Sequence, residues 1–158
     1  MRPDLRYMIV ANTNRNQTHQ NELYELMNKL KIRDKVSIKS NLNREQLREV
    51  YKNATLFLTL PINVSGDVEG FGLAIMEAAA TGTPAIVGKG SGADDAVSDG
   101  KSGFLVDGSN KKEVVEKILS LIDNEGLRKK LSTGASAWAE ENRWEGKIKQ
   151  YLELYEKV

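Results

Sequence analysis

Apolar positions along the chain switch repeatedly between two periods, and the switching predicts strands alternating with helices. Residues 5–11 (Leu-Arg-Tyr-Met-Ile-Val-Ala) read as a buried strand, followed by a loop at Asn12, Thr13 and Asn14. Leu23, Leu26, Met27 and Leu30 fall at i, i+3, i+4 and i+7, so a helix with one apolar face is expected over 18–31. Val36 and Ile38 alternate inward in a short strand over 35–39. Asn43, with Gln46 three residues on, has the form of a capping box and opens a helix that runs to residue 52. Residues 54–60 (Ala-Thr-Leu-Phe-Leu-Thr-Leu) are the strongest strand pattern, and Pro61 ends it.

A polar, glycine-containing loop over 62–67 leads into an apolar, alanine-rich stretch, 68–87, that reads as a helix closed at Gly82, Thr83 and Pro84. A short buried strand follows at 85–88. A loop with one helical turn is expected over 91–99, a strand at 103–106 and a turn at Asp107 and Gly108. Asn110 and Glu113 match a second capping box, opening a helix to residue 123 whose core face is Val114, Ile118, Leu121 and Ile122. Two further helices cover 125–140 and 142–157, the last with an expected Asn142/Glu145 box. The last helix carries an apolar stripe of Trp144, Ile148, Tyr151, Leu152 and Tyr155, for which core packing is the plain reading. Alternating strands and helices joined by crossovers predict an α/β fold: a parallel sheet with helices on both faces, closed by C-terminal helices. No internal repeat or linker interrupts the 158 residues, so one domain is expected.

Composition narrows the chemistry. A net charge of +1 gives no electrostatic case for nucleic acid or an anionic membrane. The absence of cysteine removes disulfides, thiolate metal sites and a cysteine nucleophile. The single histidine, His19, cannot form a histidine metal cluster, and it falls in a peripheral helix. No apolar run approaches the ~20 residues of a membrane span and no signal peptide is visible, so a cytosolic domain is expected.

The candidate chemistry concentrates in 68–87. Gly70, Phe71 and Gly72 make a glycine-bracketed turn that lets the backbone turn tightly and a ligand approach it. The free N–H groups of the helical turn that follows form an anion site, to which the helix dipole contributes about 0.3–2 kcal/mol. Glu77 is the one charged residue between Glu69 and Lys89. A carboxylate in an apolar helix is costly to bury without a partner, so Glu77 calls for a pocket rim, an arginine or lysine, or a dedicated ligand. It stands ~7–9 Å along the helix at ~1.5 Å per residue, where it can accept from two neighbouring hydroxyls, as on a ribose. Glu69 lies at the mouth. The two carboxylates flank the anion site at the rough separation of the two sugars in a sugar–diphosphate–nucleoside. Each feature alone is ordinary in a turn or a solvated loop; their coincidence in one block favours a ligand.

The order Glu69-Gly70-Phe71-Gly72-Leu73, then Glu77-Ala78, then Gly82-Thr83-Pro84 resembles the E-x7-E motif of retaining glycosyltransferases of family GT4 with the GT-B fold. The run 90–106 resembles the next block of that family, and Arg2-Pro3-Asp4-Leu5 with the strand after it resembles the second strand of its C-terminal half. The resemblance covers nearly the whole chain. It implies a Rossmann-like domain, the C-terminal half of a GT-B fold, that binds a UDP-sugar or GDP-sugar donor and transfers a mannose- or glucose-type hexose to a lipid-linked or saccharide acceptor. By position, Glu69 contacts the donor sugar near the reacting carbon. Gly70, Phe71, Gly72 and Leu73 hold the distal phosphate or donor sugar through their backbone, and Glu77 binds the ribose hydroxyls. Ser40, Asn41 and Leu42 lie against the base, and Asn12 to Asn14 are a weaker candidate for base or phosphate. No metal or other cofactor is implied.

The sequence departs from the family pattern in two places. Ala93-Asp94 replaces a hydrophobic–proline pair. The arginine and lysine that neutralise the leaving diphosphate in the family have no counterpart, because Arg2 stands too late in the pattern. The half that carries the acceptor site and a catalytic histidine in relatives is expected to precede residue 1, which leaves the chain by itself without transfer activity. In relatives the terminal helices cross back to that half, so part of the 142–157 stripe is expected to be exposed or to lie in a dimer contact. Peripheral membrane association belongs to the intact enzyme under this reading. Two alternatives are a related GT-B nucleotide-sugar epimerase and a non-catalytic binding or interaction module. Asp67-Val68-Glu69 as a metal site is disfavoured by the motif around it, and Asp94-Asp95 is better read as a helix N-cap than as an acid–base pair.

Overall fold

The computed structural model describes residues 2, 4–11, 17–61 and 71–156. Asn12 to Asn14, the loop 62–67, Glu69 and Gly70 lie outside the described residues, as does the side chain of His19. The chain divides into two compact units, Met1–Leu47 and Arg48–Val158.

The first unit holds β1 (Tyr7–Val10), α1 (Gln17–Lys29) and β2 (Val36–Lys39), and leads into α2 (Arg44–Asn53). β1 and β2 pair in parallel, with Ile9 opposite Ile38. The Asn43/Gln46 box is present in both directions. The Gln46 amide donates to Asn43 Oδ1 at 2.9 Å, and the Asn43 amide donates to Gln46 Oε1 at 3.0 Å. Two apolar patterns are less buried than their sequence suggests. Tyr7, Met8 and Val10 of β1 are exposed, so β1 is not a buried strand here; among the described side chains of α1 only Met27 is buried, and Leu26 and, just after the helix, Leu30 face solvent. Period reports which residues share a face; whether anything covers that face depends on the surrounding elements.

The second unit is built on a parallel sheet in the order β3 (Phe57–Thr59), β4 (Ala85–Gly88), β5 (Gly103–Val106). The central strand β4 is buried along its whole length, as expected for a short apolar run covered on both faces. The expected strand over 54–60 shortens to three residues. The Phe57 amide bonds the Pro84 carbonyl at 2.9 Å, but Pro84 has no N–H to return a bond, so the paired register starts at Phe57↔Ala85. Ile75 from α3 (Leu73–Ala80) packs with Ala85, Val87 and Ala93 on one face, with Phe57 and Leu105 against them. The other face buries Ile86 and Val106 against Val114 and Leu121 of α4 (Lys111–Asp123) and Leu131 of α5 (Glu125–Glu141). Helices on both faces of a parallel sheet therefore follow from alternate residues of three short strands.

The caps fix the element boundaries. Asn110 Oδ1 accepts from the Glu113 amide at 3.2 Å, but the Glu113 carboxylate turns to the Asp107 amide, so this box is half made. The expected Asn142/Glu145 box is absent. Asn142 instead terminates α5, where its amide N–H and Nδ2 both donate to the Trp138 carbonyl, at 3.1 and 2.8 Å. A side chain that satisfies the last carbonyls of one helix is not free to cap the next, and α6 (Trp144–Tyr155) starts from an extended Arg143 with no side-chain cap. All five residues of the α6 stripe, Trp144, Ile148, Tyr151, Leu152 and Tyr155, are exposed, so core packing is not their role in this chain.

Candidate functional site

β3 and the N-terminus of α3 meet, beside Ala93, at a recess of about 40 Å³ lined by Phe57, Thr59, Gly72, Ala74, Ile75 and Ala93. In open parallel sheets ligands bind outside the carboxyl ends of the strands. Three of the expected phosphate-site residues are described at this edge. Gly72 is the N-cap of α3, and Phe71 and Leu73, both exposed, flank it.

Gly72 adopts φ +71° and ψ 52°, the left-handed conformation that residues with a Cβ avoid. It brings no side-chain oxygen to the first-turn amides of α3. Elsewhere in the chain Asn43, Ser91, Asn110 and Asn124 cap the helices they precede. The start of α3 thus presents the positive end of the helix dipole at this edge, which favours an anion.

Asp94 has a structural task beside this edge. It accepts from the Gly90 amide at 3.0 Å and the Ser91 amide at 3.4 Å, while Ser91 Oγ accepts from the Ala93 amide at 3.2 Å. The N-cap of this short 3-10 turn (Gly92–Ala96) is therefore Ser91, with Asp94 reciprocating. This places the Ala93 backbone under Gly72.

Glu77 is the fifth residue of α3 and is exposed. It is therefore not a buried charge, and among the described residues its hydrogen-bond partner is neither lysine nor arginine. The Tyr51 hydroxyl donates to Glu77 Oε2 at 3.4 Å. Tyr51 was not singled out by sequence reasoning. It lies 26 residues upstream, at the end of α2, and an aromatic on the buried side of an amphipathic helix reads simply as core. Tyr51 is 8 % exposed. Burial, together with the charge and hydrogen bond of Glu77, pushes its hydroxyl up to about 12. The Tyr51 hydroxyl consequently stays a neutral donor through physiological pH.

A polar clamp holds Tyr51. The buried Thr83 hydroxyl donates to the Tyr51 carbonyl at 2.6 Å. Thr83 Oγ1 lies 3.1 Å from Thr81 Oγ1, which donates to the Ala78 carbonyl at 2.8 Å. The Tyr51 ring meets Phe57 edge to face, with centroids 5.8 Å apart. The expected Gly82-Thr83-Pro84 closure of α3 is therefore also what locks α2 against it.

Ser40, Asn41 and Leu42 stand at the carboxyl end of β2, in the first unit. Asn41 takes a left-handed φ of 56°, which asparagine tolerates better than most residues. Ser40 and Leu42 are half-buried. Among the described residues no group of three His, Asp or Glu side chains is placed to hold a metal ion, and no helix is long and apolar enough to cross a membrane.

Residues 1–138 match the family model described as "Glycosyl transferases group 1". The D-inositol 3-phosphate glycosyltransferase of Acidothermus cellulolyticus is 33 % identical over 156 residues, covering 98 % of this chain and 34 % of the relative. Its namesake from Streptomyces bingchenggensis is 31 % identical over 133 residues, covering 84 % and 28 %. The chain thus spans about a third of the length of these curated relatives. Among solved structures, Anabaena Alr3699/HepE in complex with UDP and glucose superposes with a TM-score of 0.82 at 21 % identity, over 99 % of this chain and 41 % of that one. The C-terminal domain of a glycosyl transferase group 1 family protein, LpcC of Francisella tularensis, gives 0.66 at 20 % identity, over 81 % and 64 %. At these identities the structures share the fold, the C-terminal half of the GT-B architecture.

Proposed function

The chain belongs to the group 1 glycosyltransferase family, and from that premise we propose that it is the nucleotide-sugar donor-binding part of a retaining, GT4-type glycosyltransferase. The observation that carries the reading is the edge just described: an α3 N-terminus opened by a left-handed Gly72, beside a recess against β3, with the Glu77 carboxylate just over one turn further on. A diphosphate takes the amides around Gly72, and the vicinal hydroxyls of a ribose take Glu77. Glu69 and Gly70, the first half of an E-x7-E pair with Glu77, contact the donor sugar, with Glu69 near the reacting carbon. Phe71 and Leu73 complete the backbone cradle, and Ser40, Asn41 and Leu42 receive the base.

The donor is a UDP- or GDP-linked hexose and the chemistry needs no metal. That Alr3699/HepE was solved with UDP and glucose supports the donor class. The acceptor is lipid-linked or saccharide in the longer protein, and the relatives' names add inositol 3-phosphate to the compounds to be assayed. The acceptor site belongs to the rest of a longer cytoplasmic protein, which associates with a membrane only peripherally. The exposed face of α6 packs against that part, and the chain alone binds donor without transferring sugar.

Titration calorimetry with UDP and GDP tests this. The chain binds one of them, and Glu77→Ala raises that Kd about 10-fold or more, as expected for hydrogen bonds to a charged acceptor at about 1.5–3 kcal/mol. An unchanged Kd in Glu77→Ala removes the ribose role.

A further inference from the structure

The ribose-binding role proposed for Glu77 asks more of it than exposure on a helix supplies. A glutamate side chain on a surface has three rotatable bonds, and fixing it costs conformational entropy. A carboxylate grips a vicinal diol more tightly when its plane is set before the ligand arrives. The structure shows what sets it. The Tyr51 hydroxyl reaches Glu77 Oε2 at 3.4 Å, and Tyr51 is itself held from three sides. Thr83 Oγ1 and the Ala54 amide both donate to its carbonyl, at 2.6 and 3.0 Å, and Phe57 packs against its ring.

We propose that Tyr51 is a positioning residue for the nucleotide ribose: its hydroxyl occupies Glu77 Oε2, orients the carboxylate and leaves Oε1 to accept from the sugar hydroxyls. The proposal rests on the ribose-binding reading of Glu77. It adds a residue that never touches the ligand and that sits on a different helix. The path closes on α3 at two points. Glu77 in the middle of the helix and the Thr81–Thr83 turn after it both bind Tyr51, so the hydroxyl and the carboxylate keep register with the same helix whose N-terminus meets phosphate. Protonation supports the assignment. A hydroxyl whose own ionisation is pushed up to about 12 donates without interruption across the working pH range.

Tyr51→Phe removes the hydroxyl and keeps the ring against Phe57. The test is calorimetric titration of the 158-residue chain and its Tyr51→Phe, Glu77→Ala and doubly substituted variants with UDP and GDP, and with the 2′,3′-dideoxy forms of both. Tyr51→Phe is expected to raise the Kd of the ribonucleotide about 3- to 10-fold. It leaves the dideoxy Kd unchanged, and it adds nothing in the Glu77→Ala background. If Glu77→Ala weakens the ribonucleotide alone and Tyr51→Phe matches the wild type, Tyr51 has no positioning role and the Glu77 reading stands. If Tyr51→Phe weakens ribo and dideoxy forms equally, the residue acts only through packing and the proposal fails. If Glu77→Ala changes neither, or the wild type binds neither nucleotide, the ribose reading itself fails and takes the proposal with it.

Discussion

Gly72 is the point where backbone, packing and site coincide, and replacing it with alanine separates the three. A Cβ built on Gly72 lies 2.6 Å from Ile75 Cδ1 and 3.3 Å from Ala93 Cβ, at a φ of +71°. Gly100 offers a control, because its φ is +70° and a Cβ there meets nothing within 4 Å. Gly100→Ala therefore carries the left-handed backbone cost alone, about 1–2 kcal/mol. Gly72→Ala carries that cost plus overpacking, about 1–3 kcal/mol. Ile75 Cδ1 is the end of a side chain that can rotate, whereas Ala93 cannot yield without its 3-10 turn, so the excess of Gly72→Ala over Gly100→Ala is set at about 1–2 kcal/mol. At a urea m-value of about 2 kcal/mol/M this separates their midpoints by about 0.5–1 M. Far-UV circular dichroism follows the helices, and Trp138, whose indole N–H donates to the Ala96 carbonyl, reports the segment under Gly72 by fluorescence. Ile75→Val, which deletes the clashing carbon, costs about 0.5–1.5 kcal/mol in the wild type and clearly less in the Gly72→Ala background. Equal midpoints for Gly72→Ala and Gly100→Ala, or no coupling to Ile75→Val, refute the packing account.

Two further outcomes follow from the same geometry. Stability falls as pH rises from about 10 to about 12, because an unfolded tyrosine releases its proton near 10 while folded Tyr51 holds its proton to about 12. The contribution is complete below pH 10; at 1.36 kcal/mol per unit it is at most about 2.7 kcal/mol, and solvent screening beside the exposed Glu77 brings it nearer 1 kcal/mol. Urea unfolding across that range shows a shallower decline in Tyr51→Phe, and parallel declines contradict the assignment. On α6, Ile148→Glu and Tyr151→Glu leave the unfolding midpoint of the chain unchanged within about 0.5 kcal/mol, because neither side chain is buried. Sedimentation velocity of both variants beside the wild type separates the occupants of this face. A wild-type dimer made monomeric by either substitution assigns the face to self-association instead of to the rest of a longer protein.

The parts of this fold legible in the sequence are those decided by neighbours along the chain. The Asn43/Gln46 box formed in both directions because both partners lie within one turn. The α4 face read from its period buries Val114 and Leu121 and half-buries Ile118 and Ile122. The Asn142/Glu145 box failed because two helices compete for Asn142, and the carbonyls ending α5 take it first. Tyr7, Met8, Val10, Leu26 and Leu30 show the other limit, since an apolar pattern states a need for cover without supplying the covering element.

The site divides along the same line. Glycine at Gly72 and a lone carboxylate at Glu77 could be read directly, because a turn with positive φ and an unexplained charge leave local marks. The Tyr51 hydroxyl leaves none. Its importance comes from a 26-residue separation closed by Thr83, a residue whose sequence context marks only the end of a helix. A motif therefore identifies the atoms that face a ligand more readily than the atoms that aim them, since aiming is done by whichever buried neighbour the tertiary fold delivers. For Glu77 that neighbour arrives from α2, the helix that precedes β3 in the chain. A substitution at Thr83 or Phe57 can thus loosen the carboxylate without altering a single residue of the motif in which it stands.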